Sequence, residues 1–499
     1  MSDGGMERRR ALVVLGGSVA AGMAPALARP ASAAAYDSTV VVDAAKRLGT
    51  FFNPGWYVNH THPHWYFSKG LLPDRTIEQL RDDFNVRWAR VTVRVEYYRD
   101  QATGKYDFTR NYPYLDQAAS YANRLLLNFT SSTSMEKTPE LWEKIMLDTL
   151  LDHKARYPQI DCVMPWIEPD LGKVGGTPAG AALTPREFYA FYAAGYRAVA
   201  AVNDRLKPSV PLTYGGPATS NLPVAWLAGF LKLYRADTDA RKRLDFLSVQ
   251  LYSMNRDNPR QAIDQRTTIR TLLRDAGLNQ NLPPYVTEYG VYPGAEAGET
   301  GGRSAAADLA HDQLVQACGV AALGRYYIES GMNRPFHWVI HHGENLRKDM
   351  FQPGKNGVRL PFGHIVVMQG MLKDRHDDGE RLGTTITPDA SRTGGRGLGA
   401  VAHADSHALT VMYWNYQAET GTKNHQTKLE IRNIPEGVFG DRIRVEIWLV
   451  DATTNNHTYD GTTEFTRDAV FSMDRPEVFK RVVSLRKNAV GFLRITPAS

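Results

Sequence analysis

Two short stretches end in glutamate, WIEPDLG (Trp166 to Gly172) and PPYVTEYG (Pro283 to Gly290). Each is a brief apolar run that delivers one carboxylate at its end, with Pro169 stopping the first and Gly290 loosening the second. Two carboxylates delivered this way can flank one bond. Such a pair breaks glycosidic bonds, one acid protonating the leaving oxygen while the other attacks the anomeric carbon or activates water. Taken singly, Glu168 or Glu288 reads as readily as a loop residue on the surface; the pairing carries the reading.

The elements that must position them are legible as an alternation. From Phe51 to about Arg375, the apolar runs FFNPGWYV, VRWARVTVRV, RLLLNFT, DCVMPWIE, PLTYGG, LDFLSVQLY, PPYVTEYG and RPFHWVIHH are separated by longer stretches with helical spacing. PREFYAFYAAGYRAVAAVNDRL is one of these, entered through Thr184 as a cap and Pro185 in the first turn. Strands and helices in alternation predict a (β/α)8 TIM barrel over residues 51–375. Glu168 then ends the fourth strand and Glu288 the seventh, at the barrel face where such folds carry their chemistry.

After Arg375 the chain turns polar and Gly-rich, then gives short period-two runs such as ALTVMYWNY, KLEIRNI and RIRVEIWLV. These predict a C-terminal antiparallel β-sandwich domain over 376–499, with the N-terminal segment 34–50, containing STVVVD, adding a strand to it. Trp414, Tyr416 and Trp448 offer rings for stacking on sugars; core aromatics that buttress the barrel are the favoured reading.

Residues 1–33 predict an export signal. Arg8, Arg9 and Arg10 precede a mildly apolar run, and Ala31-Ser32-Ala33 supplies a small-residue cleavage site. The pattern is twin-arginine-like and points to a periplasmic or secreted bacterial protein. Its cleavage removes four arginines and two acids, so the formal net charge of +6 falls to +4. Basic and acidic residues are interspersed, which argues against a nucleic-acid footprint, and no later stretch is apolar enough to span a bilayer. Cys162 and Cys318 read as buried free thiols. No phosphate-binding glycine loop opens a helix, so no cofactor is expected. The histidines of HTHPHW (His60 to Trp65) have spacing unsuited to a metal and read as packed or sugar-contacting; no metal is expected. Sequons at Asn59, Asn128 and Asn456 have no role in a bacterial export context.

Together the motifs resemble a known family. WIEPDLG resembles the Trp-Asn-Glu-Pro-Asn acid/base segment of clan A glycoside hydrolases and VTEYG their strand-seven nucleophile segment, most of all in glycoside hydrolase family 39, which holds β-xylosidases and α-L-iduronidases. HKARYP (His153 to Pro158), YGGPATS (Tyr214 to Ser220), LDFLSVQLY and LPFGHIVVMQG agree in order and spacing across about 330 residues. The resemblance implies a barrel with a β-sandwich and a retaining reaction on a carbohydrate substrate. It implies Glu168 as acid/base, Glu288 as nucleophile, Tyr252 and Arg90 as partners of the nucleophile, and Trp338 as the platform under the sugar. Plain alternatives are a structural ion pair for Arg90 and barrel packing for Trp338.

Departures stand at positions that the resemblance places against the sugar. Ile167 replaces asparagine, Thr92 and Gln250 replace histidines, and HHGENL (His341 to Leu346), with His342, replaces a Ser-Asp segment. Trp166 completes the expected sugar-lining set. Isoleucine cannot bond a sugar 2-hydroxyl, so a substrate with a differently oriented, substituted or absent 2-hydroxyl is expected rather than a β-xyloside. The competing readings are a non-catalytic glycan-binding protein on a degenerate barrel and a transglycosylase.

Overall fold

The computed structural model describes residues 36–100, 102–130, 138–171, 182–252, 258–291, 306–342, 346–373 and 379–498. The segment read as an export signal lies outside them. The opening strand is β1 (Ser38–Arg47), and eight parallel strands then close a barrel: β2 (Tyr57–Asn59), β3 (Trp88–Arg94), β4 (Arg124–Thr130), β5 (Ile160–Pro165), β6 (Thr213–Thr219), β7 (Phe246–Leu251), β8 (Pro284–Tyr289) and β9 (Asn333–His337). Each apolar run read from the sequence contributes one of these strands. Helices such as Pro139–Arg156, Pro185–Leu206 and Ala306–Ser330 lie between them in the chain. The Pro185–Leu206 helix opens with the full capping box, Thr184 and Glu187 bonding each other's backbone amides.

Alternation within the strands divides their side chains between two environments. Outward residues such as Val91, Val163, Leu247 and Val286 join the large core shared with the helices. Inward residues near the strand starts, among them Tyr57, Trp88, Leu126, Phe246 and Tyr285, make a second apolar cluster that fills the barrel. Near the strand ends the inward positions turn polar: Asn59, Arg90, Thr92, Asn128 and Gln250 are all buried. An apolar plug thus supports a polar floor at the C-terminal mouth.

The remaining strands are β10 (Glu380–Thr387), β11 (Gly397–Ala404), β12 (Leu409–Tyr416), β13 (His425–Arg432), β14 (Arg442–Val450), β15 (Ala469–Asp474), β16 (Val478–Leu485) and β17 (Ala489–Pro497). With β1 they form a nine-stranded sheet in the order β15-β14-β17-β12-β11-β10-β1-β13-β16. The sequence predicts antiparallel pairing, yet β1 runs parallel to β13 while pairing antiparallel with β10. A strand delivered from the far end of the chain is not bound to its neighbours by a hairpin, so either direction is open to it. One set of side chains, including Val40, Leu398, Val411 and Leu493, encloses the sandwich's own core. The other set, including Met412, Trp414, Tyr416 and Trp448, joins the barrel's core. Trp414, Tyr416 and Trp448 are at most 5% exposed and hold the two layers together, so their rings present no face for a sugar. Cys162 and Cys318 are buried free thiols. Among the described residues no helix is long and apolar enough to cross a membrane.

Candidate active site

Glu288 reaches the barrel interior through a bulge. Val249 pairs with Val286, but the next residue, Gln250, pairs with Glu288, so Thr287 is the extra residue in β8. Val286 and Tyr289 both face the outer core, which leaves the glutamate turned inward between them. It is 5% exposed, and a carboxylate so buried must be paired to stay charged. Arg90, 1% exposed, donates from Nη1 to Glu288 Oε1 at 2.6 Å, and the Tyr252 hydroxyl donates to Oε2. Both carboxylate oxygens are therefore held by donors, one of them the arginine cation.

Two asparagines fix the arginine. Arg90 Nη1 also donates to Asn59 Oδ1 at 2.6 Å, and Nη2 donates to Asn128 Oδ1. Asn59 is tied in turn by Nδ2 to the carbonyls of Thr287, Phe336 and His337, and Asn128 Nδ2 donates to the Trp166 carbonyl at 2.7 Å. The network thus runs from β2 and β3 through β4 to the segment that carries the other glutamate.

That segment follows β5 in an unusual backbone. Trp166 (φ 62°), Glu168 (φ 47°) and Ala218 on β6 (φ 57°) occupy the left-handed region, which non-glycine residues rarely adopt. Hydrogen bonds from Trp166 N to Phe129 O (2.6 Å) and from Glu168 N to Ala218 O (2.9 Å) stitch the segment between its neighbouring strands. Strain maintained this way is characteristic of sites that must aim a side chain. Here it presents Glu168, half-buried, at the same strand-end face as Glu288.

The same turn sends Trp166 the other way, and the expectation that its ring lines the sugar is corrected. The indole is 3% exposed and packs against Trp142 (4.8 Å between ring centroids) and Phe191 (5.1 Å) in the helical layer. Ile167, between Trp166 and Glu168, is 8% exposed. Thr92 lies two residues beyond Arg90 on β3, in register with Asn128. Gln250 lies in register with Glu288. Trp338 is packed on by Tyr252, which brings it to the Glu288 wall, and its ring meets His62 and His342 edge-on, each at 6.1 Å. His62 and His342 are themselves 5.6 Å apart.

Burial, with the nearby His342 and Arg94, pushes His62 down to about 3, and burial pushes His341 to about 4, so both rings are neutral near neutral pH. His60 turns to Tyr114 and Tyr121 and is likewise pushed down to about 3. The histidines of the first loop therefore diverge, one into the core and one to Trp338. Asn59 and Asn128 were visible in the sequence only as sequons. At 1% and 0% exposed they are supports of the site; the usable signal was a lone asparagine at or near the end of a mostly apolar strand run.

No family model matches the chain, and no curated relative does. Solved structures do. A GH39 enzyme from Xanthomonas axonopodis pv. citri superposes with a TM-score of 0.67 at 16% identity, over 93% of this chain and 98% of that one. The chain has the fold of a glycoside hydrolase. A glucosidase from Croceicoccus marinus (TM-score 0.66, 17% identity, 93% and 99% covered) and a monomeric β-xylosidase from Caulobacter crescentus CB15 (0.64, 15%, 92% and 100%) share the same barrel-and-sheet architecture. The likeness spans nearly the whole of these molecules, so the shared fold includes both barrel and sheet.

Proposed function

We propose that the protein is a retaining glycoside hydrolase in which Glu288 attacks the anomeric carbon and Glu168 protonates the departing oxygen, then activates the water that releases the sugar. The observation that carries this reading is the Arg90–Glu288–Tyr252 arrangement at the end of β8. A nucleophilic carboxylate must be aimed at the carbon it attacks, and donors on both oxygens hold Glu288 in one orientation. The backbone of Glu168 is fixed by its amide's bond to the Ala218 carbonyl and by its left-handed conformation. Retention further requires the carboxyl groups to lie about 5 to 5.5 Å apart across the bond.

Residues 1–33 are read as a cleaved export signal, which places the enzyme outside the cytoplasm on oligosaccharide or exopolysaccharide. The catalytic barrel is taken as 51–375 and the supporting sheet as 34–50 with 376–499. A panel of 4-nitrophenyl glycosides, assayed with wild type, Glu288→Ala and Glu168→Ala, tests the reading. Wild type turns over at least one member, and Glu288→Ala abolishes it. A wild type that binds glycans but turns over none favours a lectin-like role and ends the proposal.

A further inference from the structure

Of the polar side chains on the barrel wall around Glu288, nearly all are satisfied internally. Asn59 and Asn128 bond Arg90 and backbone carbonyls. Ser248 accepts from the Ala218 amide, and Thr287 donates to the Val249 carbonyl. Gln250 differs from them: it is 0% exposed and, among the described residues, neither Nε2 nor Oε1 has a partner, whereas Arg90 lacks one only at Nε. A buried carboxamide that gives up water and gains nothing is unfavourable to keep, and native structures keep few of them.

Its position says what would satisfy it. Along β7 the inward residues run from Phe246 in the apolar plug through Ser248 to Gln250, and Tyr252 follows just beyond the strand. Gln250 is paired with Glu288 on the adjacent strand, and paired strands lie about 4.8 Å apart. A group read by Gln250 therefore lies within a few ångströms of the bond that Glu288 attacks. On a sugar, the anomeric carbon's ring neighbours are the ring oxygen, which can only accept, and C2, whose substituent can both donate and accept as a carboxamide does. Around the barrel the order is β5, β6, β7, β8, so between the two glutamates the wall is made by Ala218, which joins the apolar plug, and Gln250. On the far side of this wall, beside Glu168, stands Ile167, which has no hydrogen-bonding group.

Resting on the glycosidase reading above, we infer that Gln250 is the specificity-determining residue for the carbon adjacent to the anomeric centre: its carboxamide bonds a hydroxyl or acylamino substituent there that points toward β7, away from Ile167. The substrate class is thus a glycoside whose 2-substituent is a hydrogen-bonding group turned to the nucleophile's side of the cleft. A carboxamide offers a donor and an acceptor side by side, so the substituent is read as a paired donor and acceptor, either alone or with the neighbouring hydroxyl.

The test uses the full protein, 4-nitrophenyl glycosides and their 2-deoxy counterparts, with wild type, Gln250→Leu and Gln250→Glu. Wild type is expected to prefer the 2-substituted glycoside by about 100-fold in kcat/KM, after correction for the uncatalysed rates, because an unmet buried amide penalises the deoxy substrate. Gln250→Leu loses that preference while its Tm is unchanged or higher, since leucine removes two unpartnered groups. A leucine variant that keeps the preference overturns the inference while leaving the two-glutamate chemistry standing. A lower Tm with the preference intact assigns Gln250 a structural role and overturns it too. If wild type turns over no glycoside, the underlying reading falls, and this one with it.

Discussion

Arg90 Nη1 and Glu288 Oε1 stand 2.6 Å apart with both side chains out of solvent, the arginine's 0% and the glutamate's 6% exposed. A buried ion pair is weak evidence for stability, but removing one member leaves a bare charge in the interior. Arg90→Met is therefore expected to lower stability by about 3 to 5 kcal/mol in urea unfolding and to cut kcat/KM by at least about 100-fold. Arg90→Lys keeps the charge but cannot serve Asn59, Asn128 and Glu288 together, and it is expected to fold while recovering only part of the activity. Full activity in Arg90→Lys would show that charge alone matters and that the asparagine network is incidental.

Tyr252 donates to the other oxygen of Glu288 from the edge of the cleft, where it is half-buried. Tyr252→Phe removes one hydroxyl and little packing. Its kcat is expected to fall about 10- to 100-fold while Tm moves by no more than about 2 °C. A change confined to KM would place the hydroxyl on the sugar and not on the nucleophile.

Trp166 separates packing from recognition. Its ring lies between Trp142 and Phe191, so Trp166→Ala is expected to cost about 3 to 5 kcal/mol of stability. Trp166→Phe, which keeps most of the contact, is expected to leave KM unchanged. A raised KM in the phenylalanine variant at unchanged Tm would return the indole to the sugar's side.

The site residues were legible to different depths. Glu168 and Glu288 were reached by strand counting, because a parallel barrel places every strand end at one mouth, and Arg90 and Tyr252 by the family resemblance. Trp166 was not, since its direction is set by the left-handed backbone at Trp166 and Glu168, a local twist that period-two reasoning reads as a continued strand. Asn59 and Asn128 were missed because a single polar residue in a mostly apolar run gives no sign of which side chain it will hold. The parallel β1–β13 pair was out of reach for a related reason: alternation shows which face is buried and says nothing about which distant strand lies alongside. The barrel itself was legible because eight strands buried on both sides leave eight predominantly apolar runs separated by helical spacing.

Acid should unfold the protein by way of its buried histidines. Burial holds His60, His62 and His337 down to about 3 and His341 to about 4, against an ordinary value of 6.5. Below pH 6.5 the unfolded chain takes up protons that the folded chain refuses, so stability is flat above about pH 7 and falls as pH drops toward 4. By pH 5 each contributes a loss of up to about 2 kcal/mol. Calorimetric Tm between pH 8 and 4.5 checks this; a Tm that holds level from pH 7 to 5 would contradict buried neutral imidazoles at these positions.

The most direct measurement is the configuration of the glycosyl azide formed when sodium azide is supplied to the two glutamate variants with an activated glycoside that wild type hydrolyses. In Glu168→Ala, Glu288 still forms the covalent sugar, azide displaces it, and the product keeps the substrate's anomeric configuration. In Glu288→Ala, azide enters directly from the vacated side, and the product is inverted. Proton NMR of the two products reads the answer. Retention in the first and inversion in the second is the predicted result; the same configuration from both, or undiminished hydrolysis by Glu288→Ala, would contradict a nucleophile at Glu288 opposed by an acid at Glu168.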